Sequence, residues 1–126
     1  MADELDETIR HVGEAMDSAV TETRVYSIGL TTTAEVDDDT FALIFSIAEP
    51  DIEGDGYSLV VEPGQRCAYR CVESCGLVSG RLHLELGQEA AGVLGLPREL
   101  TIALELSEPE LLLLRLGLAR VGIDAA

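Results

Sequence analysis

The sequence predicts a single α+β domain over residues 1–126: a mostly antiparallel sheet with an N-terminal helix, a short middle helix and an apolar C-terminal helix packed on it. Three observations lead there. Apolar residues recur at helical spacing near the start, alternate with a period of two through the centre, and surround a capped segment at the end. A chain of 126 residues with 47% hydrophobic content can bury one core and hardly two. The expected organisation is a helical extension over residues 1–22 and an α+β core over residues 24–123.

Leu5, Ile9, Val12, Met16 and Ala19 set the first expectation, an amphipathic helix over residues 3–20 with a narrow apolar stripe. From Arg24 the period drops to two. Tyr26, Ile28 and Leu30 alternate with smaller or polar residues, and Asp37, Asp38 and Asp39 then turn the chain. Phe41, Leu43, Phe45 and Ile47 make the inward side of a second strand. Its other side, Ala42, Ile44, Ser46 and Ala48, is too apolar for full exposure, so cover is expected there as well. Tyr57, Leu59 and Val61 form a third strand, and the tract from Ala68 to Val78 reads as a fourth.

"RLHLEL" alternates cleanly and directs Leu82, Leu84 and Leu86 inward. Gln88 to Leu94 reads as a short helix stopped by Gly95, with Pro97 just beyond. Leu100, Ile102, Leu104 and Leu106 mark a returning strand. Ser107 and Glu110 then make a capping box, with Glu108 and Glu110 near the positive end of the last helix. In "LLLLRLGLARVGI" the leucines surround more of that helix than one sheet face can bury. The N-terminal helix or a second copy of the chain, in a homodimer through this helix, is expected over the remainder.

Charge narrows the partners. The 24 acids outnumber 8 basic residues, all arginine, for a net charge of -16, a field that repels nucleic acid and anionic membranes and attracts a basic protein. "MADELDETIR" lacks the basic and apolar regions of a secretory signal, and the longest apolar runs are too short to span a bilayer, so a soluble cytoplasmic protein is expected.

Chemistry is sparse. "DIEGDGYSLVVE" places Asp51, Glu53, Asp55, Gly56 and Glu62 at the spacing of an EF-hand loop, yet strand-type runs flank it where helices should stand. An acidic hairpin loop is the expectation. Cys67, Cys71 and Cys75 recur every four residues, about 13 Å along a strand and too far for one metal or a disulfide, so reduced structural thiols are expected. No phosphate loop, nucleophile elbow or zinc-protease motif is found, His11 falls on the first helix and His83 points outward. No catalytic residue, metal or cofactor is expected; a hydrolase or isomerase would need a concave pocket with perturbed carboxylates.

The segment "YRCVESCGLVSGRLHLELGQEAAGVLGLPRELTIALELSEPELLLLRLGLARV", residues 69–121, resembles the C-terminal half of the bacterial immunity protein 10 family of polymorphic toxin systems. "DTFALIFSIAEP" and "YSLVVE" resemble its first two strands, so the likeness covers most of Asp39 to Val121. Where family members tend to carry two glycines after the tyrosine, this chain has Arg70 and Cys71. The resemblance implies a cytoplasmic protein that binds and silences a cognate toxin without chemistry of its own. An acidic, motif-poor domain suits a basic toxin independently of that likeness. Asp37, Asp38, Asp39, Asp51, Glu53 and Asp55 are the candidate electrostatic contacts, against the plainer reading that acidic loops are solvated turns. The alternative from another class is a secretion chaperone resembling the small acidic dimeric chaperones of type III systems, whose order of elements also begins with a helix and ends with a leucine-rich one.

Overall fold

A computed structural model describes residues 3–20, 23–51 and 54–125. Along the chain these form β1 (Asp3–Ile9), β2 (His11–Val20), β3 (Thr23–Thr31), β4 (Ala42–Glu49), β5 (Ser58–Glu62), β6 (Arg66–Tyr69), β7 (Val72–Val78), β8 (Arg81–Leu86), α1 (Gln88–Leu94), β9 (Glu99–Leu104) and α2 (Glu108–Val121). Two sheets result. One has the order β1-β9-β8-β7, with β1 parallel to β9; the other is an antiparallel meander from β2 to β6. The chain crosses between them at Arg10, whose backbone N–H donates to the Thr31 carbonyl at 2.9 Å.

The helix expected over residues 3–20 does not form; strands β1 and β2 stand in its place. The fold is therefore mostly β, two sheets with two helices, rather than α+β with an N-terminal helix. Helical spacing of Leu5, Ile9, Val12 and Met16 is equally consistent with two strands meeting at residue 10: Ile9 ends β1 fully buried and Val12 is the second residue of β2. Against the helix propensity of Ala, Glu and Met stand ladders to β9 and to β3, the second running from His11↔Thr31 to Val20↔Thr23. Tertiary pairing outweighs tenths of a kcal/mol per residue of local preference.

The central alternation holds. Tyr26, Ile28 and Leu30 on β3, Leu43 and Phe45 on β4 and Leu59 on β5 are buried, and they share one apolar cluster with Leu82, Leu84, Leu86, Leu100 and Ile102 of the first sheet. Each such side chain contributes about 1.5–3 kcal/mol on burial. The tract from Ala68 to Val78 is not one strand. Arg70, at φ 49, turns the chain in the left-handed region, so that β6 ends in one sheet and β7 begins in the other. The 51–62 stretch spans the β4–β5 connection and β5 itself.

Both helices end where the residues direct. Gly95, at φ 70, caps α1, and the α2 capping box is complete: Glu110 N–H donates to Ser107 Oγ, while Ser107 N–H donates to Glu110 Oε1 at 3.2 Å. Helix α2 lies on β2, β3 and β4. Gly117 makes this approach possible, since a Cβ there would stand 2.8 Å from Ile28 Cδ1 and 3.0 Å from the Tyr26 hydroxyl. Leu114, Leu118 and Val121 are buried in this contact, which leaves Leu112 and Leu116 exposed. The sheet thus takes the place assigned to the N-terminal helix. At the far end of α2, Arg120 stacks over the Tyr26 ring at 4.0 Å and donates to both carboxylate oxygens of Glu49.

Gly117→Leu is expected to lower the unfolding free energy by about 1–3 kcal/mol through overpacking against Ile28 and Tyr26, measured by urea denaturation; unchanged stability would show that α2 can stand off the sheet. Burial pushes the thiols of Cys71 and Cys75 up to about 11, whereas Cys67 is exposed. A maleimide near neutral pH is therefore expected to label Cys67 alone in the native protein and all three cysteines in denaturant, as counted by mass spectrometry.

Candidate partner-binding surface

The buried side of the meander is shared by α2 and the other sheet, and strand alternation sends the intervening residues to its opposite face. Cross-strand register assembles them into rows. Gly13, Gly29, Ile44, Val60 and Cys67 form one, and Ala15, Ser27, Ser46, Ser58 and Tyr69 the next. The hydroxyls of Ser27 and Ser46 hydrogen-bond to each other at 2.8 Å in the middle of the face. Of the residues expected to need cover, Ala42 is buried, with Thr40 beside it at one end of the face, and Ile44, Ser46 and Ala48 are partly exposed.

Both acidic loops border this face, one at each end of β4. In the first, Asp37 folds the turn: its Oδ1 accepts from Thr40 Oγ1 and from Asp39 N–H, each at 2.9 Å. The Thr40 hydroxyl, then the Asp39 amide, hold the Asp37 carboxyl below its ordinary value. It is ionised at neutral pH, and its small contribution to folding is lost as pH falls through that lowered pKa. In the second loop, Asp51 Oδ2 accepts from Gly56 N–H at 3.0 Å, and Arg70 Nε donates to the Asp55 carbonyl at 3.0 Å. Gly56 has φ 75, which favours glycine, and a Cβ there would press on the Arg70 side chain.

The candidate contacts are thus divided. Asp51 and Asp55 line a depression of about 440 Å³ with Val25, Ser46, Ala48 and Tyr69. Asp37 lines a second, of about 260 Å³, with Ser27, Gly29, Ala42 and Ile44. Asp38 borders a third beside Glu62. Asp39 serves the turn through its amide, and Glu53 lies outside the described residues. What the sequence reading missed is the floor between the loops. Its signal was the want of charge at alternate residues of β3, from Thr23 to Thr31, and of β4, from Ala42 to Ala48, with Glu62 at the end of β5 the first acid on that parity.

Three carboxylates among the described residues are clearly shifted. The shifted carboxylates of Asp37, Glu49 and Glu110 are all lowered, by the Thr40 hydroxyl, the Arg120 guanidinium and the Ser107 amide respectively, the reverse of what a general acid needs. Among the described residues no group of three or more His, Cys, Asp or Glu could hold a metal ion, and no helix is long and apolar enough to cross a membrane.

Neither curated proteins nor solved structures provide a match. The model of one family, Immunity protein 10, matches residues 9–112 and so takes in the chain from the end of β1, through both acidic loops, to the first turn of α2. With well over half of its length matched, the chain belongs to the immunity protein 10 family, the immunity proteins of toxin systems.

Proposed function

We infer that the protein binds a cognate toxin and neutralises it by occupation, without catalysis and in the cytoplasm. Membership of the family is the observation that carries this reading. The net charge of -16 adds the chemistry of the partner, a basic protein drawn to an acidic one. Asp37, Asp38, Asp39, Asp51, Glu53 and Asp55 supply the electrostatic part of the contact, steering the toxin to the two ends of β4. The secretion-chaperone alternative loses the helix it was built on, because residues 3–20 form β1 and β2.

Co-expression with the product of the adjacent reading frame tests the reading directly. Growth arrested by that product is expected to resume in the presence of this protein; persistent arrest with both proteins present would remove the reading. Binding is expected to weaken by about tenfold or more from low to high salt, followed by titration calorimetry, and an affinity flat with ionic strength would discard the acidic loops as contacts. A homodimer through α2 would draw on its exposed Leu112 and Leu116. Light scattering is expected to give the 13.5 kDa monomer; twice that mass, lost in Leu116→Glu, would establish the dimer instead.

A further inference from the structure

The two sheets turn very different outer faces to the same solvent. On the sheet of β7, β8 and β9 that face bears Arg81, His83 and Glu85, with Arg81 paired to Glu4 at 2.6 Å and Arg98 reaching Glu73 at 3.3 Å. This is an ordinary solvated surface. On the meander, the rows through Ile44 and Ser46 carry no charge from β2 to β6. Arg24 and Arg66 fall on the opposite strand parity, beside Tyr26 and opposite Val61. Among the described residues charge returns at the margins: Asp17, Asp51 and Asp55 at one end, where Arg70 holds the Asp55 carbonyl, and Asp37, Asp38 and Glu62 at the other, with His11 at a corner. In a chain where acids outnumber arginines threefold, a neutral floor between two acidic ends has no solubility purpose.

We propose that this outer face of the β2–β6 sheet is the docking surface for the basic toxin, resting on the function inferred above. The partner it fits is a folded protein that offers a neutral, flat patch to the floor and basic side chains to both ends. Size agrees with that occupant. Eight residues of β4 at about 3.3 Å each and four strand spacings of about 4.8 Å give roughly 25 by 19 Å, about 500 Å², and the bordering loops bring this toward the ~800 Å² per partner of a stable complex. Half-exposed Ile44 and Val60 supply apolar area at the centre, where interface energy concentrates, and the acids at the ends govern approach and orientation.

The test uses the full chain and, as probe, the purified product of the adjacent reading frame. Ser46→Arg places a cation on the floor; Leu116→Arg makes the same change of charge on the exposed side of α2. Calorimetry is expected to show about a 100-fold loss of affinity for Ser46→Arg and a change below about threefold for Leu116→Arg, with circular dichroism melts of both variants alongside the wild type. The wild-type protein carries a second reporter, since Cys67 pairs with Val60 on the floor and is exposed. Its maleimide labelling is expected to slow at least tenfold in the complex, and this readout decides alone if Ser46→Arg does not fold. Undiminished binding by folded Ser46→Arg, or unslowed Cys67 labelling in the complex, overturns the docking surface and leaves the toxin-binding function standing. Absence of binding by the wild type overturns both.

Discussion

The inner side of the meander has to be buried along its whole length, and two different elements share the task. Tyr26, Ile28 and Leu30 alternate on β3, and Leu43 and Phe45 on β4. Part of that surface meets the leucines of the other sheet, and part meets α2. The division depends on how closely a helix can approach a sheet. Gly117 removes the one Cβ that would collide with Ile28, and the Arg120–Glu49 pair with the Tyr26 stack holds the far end of α2 against β3 and β4. Once both covers lie on one side, none remains for the other. The bare outer face follows from the packing of the inner one.

The arginines follow the same economy of placement. Arg10 with Glu105, Arg81 with Glu4, Arg98 with Glu73 and Arg120 with Glu49 each join segments distant in the chain. Arg70 and Arg115 donate instead to backbone carbonyls, at Asp55 and Ala125. A planar guanidinium with several donors suits both kinds of partner, which accounts for a chain whose basic residues are all arginine. Exposed pairs of this type contribute little to stability individually, typically about 0–1 kcal/mol. Six of the eight arginines are thus engaged within the molecule, Arg70 among them at the 51–55 loop itself.

That distribution separates attraction from adhesion. On the proposed docking surface, long-range charge would bring a basic partner toward the acidic ends, while the neutral rows between them would avoid the desolvation cost that a charged floor would impose on contact. Asp37 and Asp51 have a double role in this arrangement. Each commits one carboxylate oxygen to its own loop, through Thr40 and Gly56 respectively. The loops are thereby shaped before any partner arrives, which reduces the ordering cost of association.

Local chemistry determined what the sequence alone could specify: the alternation of β3, β4, β5 and β8, the glycine stop of α1, the Ser107–Glu110 box of α2, the acidic turns and the family likeness. Each of these depends on residues within a few positions of one another, where spacing is itself geometry. Only the tertiary structure decided the rest. Residues 3–20 have a pattern that serves a helix or two strands, and the choice was made by β9 and β3, partners up to about a hundred residues away. The break at Arg70 needed two sheets to exist before a turn between them had meaning. Likewise the outer floor is drawn from strands β2 to β6, a few neutral residues from each, and no local window contains enough of it to be seen. Surfaces are sums over distant segments, and burial selects the inner one while leaving the outer to be read from the fold.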